Sequence, residues 1–264
     1  MRLVLLGDPV EHSLSPAIHN AAMAACGIEG SYEARAVDGA GLRAAIDEVR
    51  YGALRGANVT MPHKEAAFVD CERPSAEAMQ AGAVNTLVAD QGWVRGHNTD
   101  ITGVREAWIE AELPEGAPVL LLGAGGAAAA AAIAVSGVDL HVASRRPDSG
   151  RALLARIRVA GKVVPWGKPV PDAVVVNATP LGMAGEELPP GLLDRAVGLF
   201  DMAYGSQSTP AVGEALTAGM PVATGPDMLL AQAIASFELW TGRKAPRDVM
   251  AAALQATEQH PAAD

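Results

Sequence analysis

Apolar and polar positions switch repeatedly between two periods in the first hundred residues. Residues 2–6 form a short continuous β-prone run, which predicts a strand, and 16–26 then repeats at helical spacing. Ser15 precedes that helix as a candidate cap, and Pro16 stands at its expected first position. Residues 30–36 read as a strand, 40–49 as a helix, 54–59 as a strand and 64–69 as a helix. The runs 84–89 and 93–95 predict a strand pair turning near "ADQG", followed by a helix over 102–111.

The breaker-rich stretch 114–118 then separates a second region, opened by "VLLLGAGGAAAAAAIAVSG" as strand, glycine turn and helix. Further strands are predicted over 140–143, 163–164, 173–177, 197–201 and 221–223, spaced as a parallel sheet requires. Helices are predicted over 228–240 and 246–257, and these last helices can return to the first region. The fold class expected is α/β: an N-terminal α/β domain, a Rossmann-like second domain, and C-terminal helices packing back on the first. The boundaries expected are 1–100, 101–231 and 232–264.

With 264 residues and half of them apolar, the chain can bury a substantial core. A net charge of −10 argues against a nucleic-acid partner. The two cysteines stand apart, which suggests neither a disulfide framework nor a clustered metal site. His12 and His19 lack a ligand constellation. The N-terminal residues run straight into a strand without a signal-peptide pattern, and no apolar stretch reads as a membrane span. A cytoplasmic protein is the expectation.

"GAGGAA" follows a strand and opens a helix, the context of a dinucleotide-binding turn. Gly123 suits the tight turn, Gly125 the close approach of backbone to a pyrophosphate, and Ala128 close helix–strand packing. Gly126 and Ala127 complete the loop whose amides, at the positive end of a helix, attract phosphate. After the next strand, Ser144, Arg145 and Arg146 stand where an NAD site carries a carboxylate. Two guanidiniums there suit a 2′-phosphate, so the cofactor expected is NADP.

Three polar clusters sit at predicted strand ends: "NVTMPHKE" with Asn58, Thr60 and Lys64; "GAVNT" with Asn85; and "GHNTD" ending in Asp100. A Lys64–Asp100 pair suits ketone reduction, which needs a proton at oxygen while hydride reaches carbon. In "HSLSPAIHN", Ser13 and Ser15 can donate to a substrate carboxylate, and Ser15 can equally cap its helix.

Taken in order, these segments, together with "NATPLGM" and "GPDMLLAQAIASFELWTG", resemble the shikimate dehydrogenase family over essentially the whole chain. The resemblance implies reversible, NADP-dependent reduction of 3-dehydroshikimate to shikimate, in aromatic amino-acid precursor synthesis. It carries catalytic roles to Lys64 and Asp100, carboxylate contacts to Ser13 and Ser15, and ring contacts to Asn58, Thr60, Asn85 and Gln232. Tyr204 is implied to face substrate, Thr179 to lie along the cofactor, and Gly225 and Met228 to lie near the nicotinamide, Met228 being equally suited to core packing. A monomer or weak homodimer is implied. The chain departs from the family pattern in three places. Alanine stands at the usual basic position of the glycine-loop helix, Ser144-Arg145-Arg146 replaces asparagine-arginine-threonine, and "MAYGSQSTP" lacks an asparagine-proline continuation. Ser15 points to shikimate rather than quinate. The alternatives are a quinate/shikimate dehydrogenase accepting NAD and a noncatalytic nucleotide-sensing homologue.

Overall fold

Continuous apolar runs become the central strands of two separate sheets, because a strand covered on both faces has no side on which to place polar groups. The computed structural model describes residues 1–205 and 208–259, so Ser206 and Gln207 of "MAYGSQSTP" and the end of the span 232–264 lie outside the described residues. Two compact units are present: Met1–Thr99 with Gln232–Asp264, and Asp100–Ala231.

The first unit contains β1 (Arg2–Gly7), α1 (Ser15–Ala25), β2 (Ser31–Ala36), α2 (Gly39–Arg50), β3 (Gly56–Val59), α3 (Lys64–Asp70), β4 (Arg73–Pro74), α4 (Ala76–Ala81), β5 (Thr86–Asp90) and β6 (Trp93–His97). Its six strands run in the order β2-β1-β3-β5-β6-β4. β1 pairs in parallel with β2 and β3, whereas β5 is antiparallel to β3 and β6. The β5–β6 turn is a two-residue loop, Gln91-Gly92, with φ of 52° and 85°, the left-handed pair that matches strand twist in a hairpin. Asp38 caps α2 by accepting from the Ala40 and Gly41 amides. The buried face of that helix, Leu42, Ala45, Ile46 and Val49, packs with Val4, Leu6, Ala57 and Leu87 of the sheet.

α5 (Thr99–Glu110) begins at the edge of the first unit and continues in the second. The second unit contains β7 (Val119–Leu122), α6 (Gly126–Ala134), β8 (Leu140–Ala143), α7 (Pro147–Ile157), β9 (Lys162–Val164), β10 (Val174–Asn177), β11 (Gly198–Asp201), α8 (Pro210–Thr217) and β12 (Val222–Thr224). All six strands are parallel in the order β12-β11-β10-β7-β8-β9, so the direction in which successive strands are added reverses between β7 and β10. That is the order of a doubly wound nucleotide-binding sheet, whose ligand crevice lies at the reversal. The alanine run becomes the buried part of α6, from Ala128 to Ala132. α9 (Gly225–Thr241) leads out of this unit, and α10 (Arg247–Gln259) packs along α1 in the first. The C-terminal helices thus return to the N-terminal part, as the fold class requires.

Two local expectations are corrected. Ser15 is inside α1 rather than capping it: the cap is Leu14, without a side-chain hydrogen bond, and Pro16 is the second helical residue. α9 starts at Gly225 rather than 228, because Thr224 and Asp227 cap each other: the Thr224 amide and hydroxyl donate to Asp227 Oδ2 at 2.8 and 2.6 Å. The short α4 and β4, and the helices α7 and α8, were not among the predicted elements.

Candidate active site

Backbone pairing draws the polar clusters of the first unit together. The Val59 amide donates to the Asn85 carbonyl at 2.8 Å, the Val84 amide to the Lys64 carbonyl at 2.9 Å, and the Asn85 amide to the His97 carbonyl at 3.0 Å. "NVTMPHKE", "GAVNT" and "GHNTD" are therefore stitched side by side at one end of the sheet. Thr60 fits beside Gly7 only because that residue lacks a side chain; a Cβ there would lie 2.3 Å from Thr60 Cγ2.

The amides and hydroxyls of these clusters form one buried network. Asn58, on β3, accepts from the Tyr32 hydroxyl at 2.7 Å, and its Nδ2 faces the Asn85 carbonyl, Thr86 Oγ1 and Ser236 Oγ at 3.0–3.1 Å. Asn85 Oδ1 accepts from the Thr99 amide at 2.7 Å and faces the Thr99 and Thr86 hydroxyls at 3.1 Å. Ser236 donates to the Gln232 carbonyl at 2.9 Å, while the Thr99 hydroxyl reaches Gln232 Oε1 at 3.5 Å. Asn58, Asn85 and Gln232 are each over nine-tenths buried, so every unpaired lone pair or proton here carries a desolvation cost.

Ser15 is also buried, and its amide donates to Ser13 Oγ at 3.3 Å. The Ser15 side chain hydrogen-bonds Tyr32, whose phenol is nevertheless held far above its ordinary pKa, chiefly by burial. Lys64 is the first residue of α3 and is partly exposed. Asp100 is buried in the first turn of α5, where a carboxylate complements the helix dipole, and belongs to the second unit, as does the exposed Tyr204.

In the second unit the glycine turn and the "NATPLGM" loop meet at the strand reversal. Gly123 has φ of 114°, and a Cβ on it would stand 2.7 Å from the Ala178 carbonyl oxygen, so only glycine fits. Gly125 and Gly126 are exposed at the start of α6 with open space where their side chains would be, and no side chain caps that helix end. The opening leaves room for a ligand to approach backbone amides, which fits a pyrophosphate. Ala127 is also exposed, and so are Arg145 and Arg146 just beyond β8. Ser144 is buried and donates to the Arg146 carbonyl at 2.7 Å, so its proton shapes the turn that carries the two guanidiniums.

Behind the loop lies a second network, absent from the sequence expectations. Thr179 donates to Asn177 Oδ1 at 2.6 Å and accepts from the Leu181 amide at 3.2 Å. Asn177 Nδ2 donates to the Leu181 carbonyl and to Asp201 Oδ1, at 2.9 and 2.8 Å. Asp201 also accepts from the Ala203 amide and from Thr209, the cap of α8. Burial pushes the Asp201 carboxyl above its ordinary pKa, against the opposing effect of these donors. Gly225 is fitted closely to the Tyr204 segment: a Cβ would fall 2.5 Å from Tyr204 Cδ1 and 2.8 Å from the Met202 carbonyl oxygen. Met228 follows on the first turns of α9, partly buried.

Residues 5–87 match the shikimate dehydrogenase substrate binding domain, and residues 225–255 match the shikimate 5′-dehydrogenase C-terminal domain. A shikimate dehydrogenase (NADP(+)) from Anaeromyxobacter sp. (strain Fw109-5) is 40% identical over 96% of this chain and 95% of its own length. The chain belongs to the shikimate dehydrogenase family. Its structural relatives include shikimate 5-dehydrogenase from Thermus thermophilus in complex with NADP(H) and shikimate, with a TM-score of 0.89, 38% identity and coverage of 97% of this chain and 99% of that one. Quinate dehydrogenase from Corynebacterium glutamicum in complex with NAD has a TM-score of 0.88 at 29% identity, with coverage of 97% and 99%.

The sequence singles out the strand-end asparagines and the glycine turn as candidates; Tyr32, Thr99, Ser236, Asn177 and Asp201 join their hydrogen-bond networks without having been singled out. Thr99 lies within "GHNTD", and Asn177 opens "NATPLGM". Ser236, one helical turn after Gln232, was findable as a polar position on an otherwise apolar helix face.

Proposed function

We propose that this chain catalyses the reversible, NADP-dependent reduction of 3-dehydroshikimate to shikimate. The observation that carries the reading is full-length likeness to the Thermus enzyme holding NADP(H) and shikimate, joined to a buried asparagine–hydroxyl network in one unit and an open glycine turn in the other.

Bound NADPH supplies the hydride. The chain's residues bind, orient and handle the proton. The amides at Gly125, Gly126 and Ala127 meet the pyrophosphate, Arg145 and Arg146 pair with the 2′-phosphate from the turn shaped by Ser144, and Thr179, Gly225 and Met228 border the rest of the cofactor. Ser13 and Ser15 hold the substrate carboxylate. Asn58, Thr60, Asn85, Tyr204 and Gln232 hold the ring. Lys64 delivers a proton to the carbonyl oxygen and stabilises the developing alkoxide, and Asp100 orients the ammonium group. Residues 1–100 and 232–264 serve as the substrate part and 101–231 as the cofactor part. The proposal extends to a cytoplasmic monomer or weak homodimer acting on a small molecule, supported by two free cysteines and the acidic charge. Among the described residues no helix is long and apolar enough to cross a membrane.

A spectrophotometric matrix of shikimate and quinate, each with NADP+ and NAD+, tests the assignment. The expected result is fastest turnover with shikimate and NADP+. Preference for quinate with NAD+ supports the alternative dehydrogenase, and binding of NADPH without turnover of either acid supports a nucleotide sensor.

A further inference from the structure

We infer that Tyr32 and Ser236 are positioning residues that clamp the Asn58 amide from opposite ends, so that Asn58 meets its ligand only as a hydrogen-bond acceptor. The inference rests on the proposed shikimate chemistry.

Counting donors and acceptors gives the polarity. An asparagine side chain has two N–H donors and a carbonyl oxygen with two lone pairs. Asn58 Nδ2 faces three acceptor atoms, and one is the Asn85 backbone carbonyl at 3.1 Å, which can only accept. Turning the amide over would set carbonyl against carbonyl, so the nitrogen is fixed on that side. The other two acceptors are Thr86 Oγ1 at 3.0 Å and Ser236 Oγ at 3.1 Å, which commit both hydrogens inward. At the opposite end Tyr32 donates to Oδ1 at 2.7 Å, leaving one lone pair on that oxygen. The group suited to that lone pair is a ligand hydroxyl.

Each clamp residue is itself held. The Ser236 proton goes to the Gln232 carbonyl at 2.9 Å, a back-bond along its own helix, so toward Asn58 its oxygen accepts. The Tyr32 ring stacks on His19 with centroids 4.4 Å apart and tilts against Trp240 at 6.0 Å. Tyr32 and Ser236 are 1% and 0% exposed, so neither hydroxyl can exchange its partner for bulk water. The neighbouring Asn85 has its Oδ1 turned inward, where it accepts from the Thr99 amide and faces the Thr99 hydroxyl.

Steady-state kinetics of Tyr32→Phe, Ser236→Ala and the double variant test the clamp, with thermal unfolding measured alongside. Each single variant keeps the ring or the helix and should raise the KM for shikimate about 3- to 10-fold, the span of one ordinary hydrogen bond. The kcat should stay within about 2-fold, and the KM for NADP+ should be unchanged. The double variant should raise the KM by clearly less than the product of the single effects, because both changes loosen the alignment of the same amide and the first already costs most of it. Unchanged KM in both single variants, equal rises in both KM values, or strictly multiplicative effects would overturn the clamp while the functional reading stands. Absence of shikimate turnover in the wild type would overturn both.

Discussion

His19 is buried with no hydrogen-bond partner among the described residues on either ring nitrogen, held by its stack on Tyr32 and tilted contact with Trp240. Burial lowers its pKa from 6.5 to about 3, so the folded ring is neutral. The unfolded chain takes up a proton below pH 6.5 while the folded one does not, so this contribution to stability is complete above pH 6.5 and declines as pH falls toward 3. Between pH 6.5 and 4.5 the loss should be roughly 2–3 kcal/mol. Replacing His19 by Leu should flatten the pH dependence of the urea midpoint over that range; an unchanged slope would assign acid sensitivity elsewhere. At Lys64 and Asp100, truncation to Ala should lower kcat by about 100-fold or more, the scale of lost proton transfer, while NADPH affinity stays within a few-fold. Near-normal turnover in both would remove them from the chemistry. These two residues were conspicuous in the sequence because their types and setting suit a proton step. Tyr32 was not, because a tyrosine in a strand reads as packing until a fold brings its hydroxyl to an asparagine 26 positions away.

Strands were more legible than helix starts, and the physical reason differs from element to element. β7 and β10 are buried at every position, so their apolar runs mark them directly. α9 begins three residues before its predicted start because Gly225 and Pro226 look like breakers, yet they occupy the first turn of a helix capped by Thr224 and Asp227. α4 has six residues and α8 eight, too short for a helical period to stand out. The loop after β10 is fastened by Asp201 through Asn177. Replacing Asp201 by Ala leaves the Thr209 hydroxyl, one N–H of Asn177 and the Ala203 amide without their acceptor. The change should cost about 2–4 kcal/mol and weaken NADPH binding several-fold. Asp201→Asn retains one acceptor and should fall between. Equal NADPH affinity in all three proteins would show that the loop does not depend on this anchor.

For the whole molecule, the candidate ligand groups divide between the two units: the asparagine network and Lys64 in one, the glycine turn and the arginine pair in the other. The division makes the effects of variants separable. A ligand that binds the folded protein stabilises it by an amount set by its concentration relative to Kd, about 2.7 kcal/mol at one hundred times Kd. NADP+ should therefore raise the unfolding temperature of wild type and of Asn85→Ala alike. In Arg145→Ala combined with Arg146→Ala the rise should shrink, since each charge-assisted hydrogen bond to a phosphate contributes about 1.5–3 kcal/mol. NADH lacks the 2′-phosphate, so its affinity should change little in the arginine variant. Affinity for NADPH should fall by roughly ten-fold or more, narrowing the preference between the two cofactors. The KM for shikimate should respond in the opposite set, rising in Asn85→Ala and holding in the arginine variant. Equal loss of NADPH and NADH affinity would remove the arginines from phosphate recognition and leave the 2′-phosphate to be read by another part of the second unit.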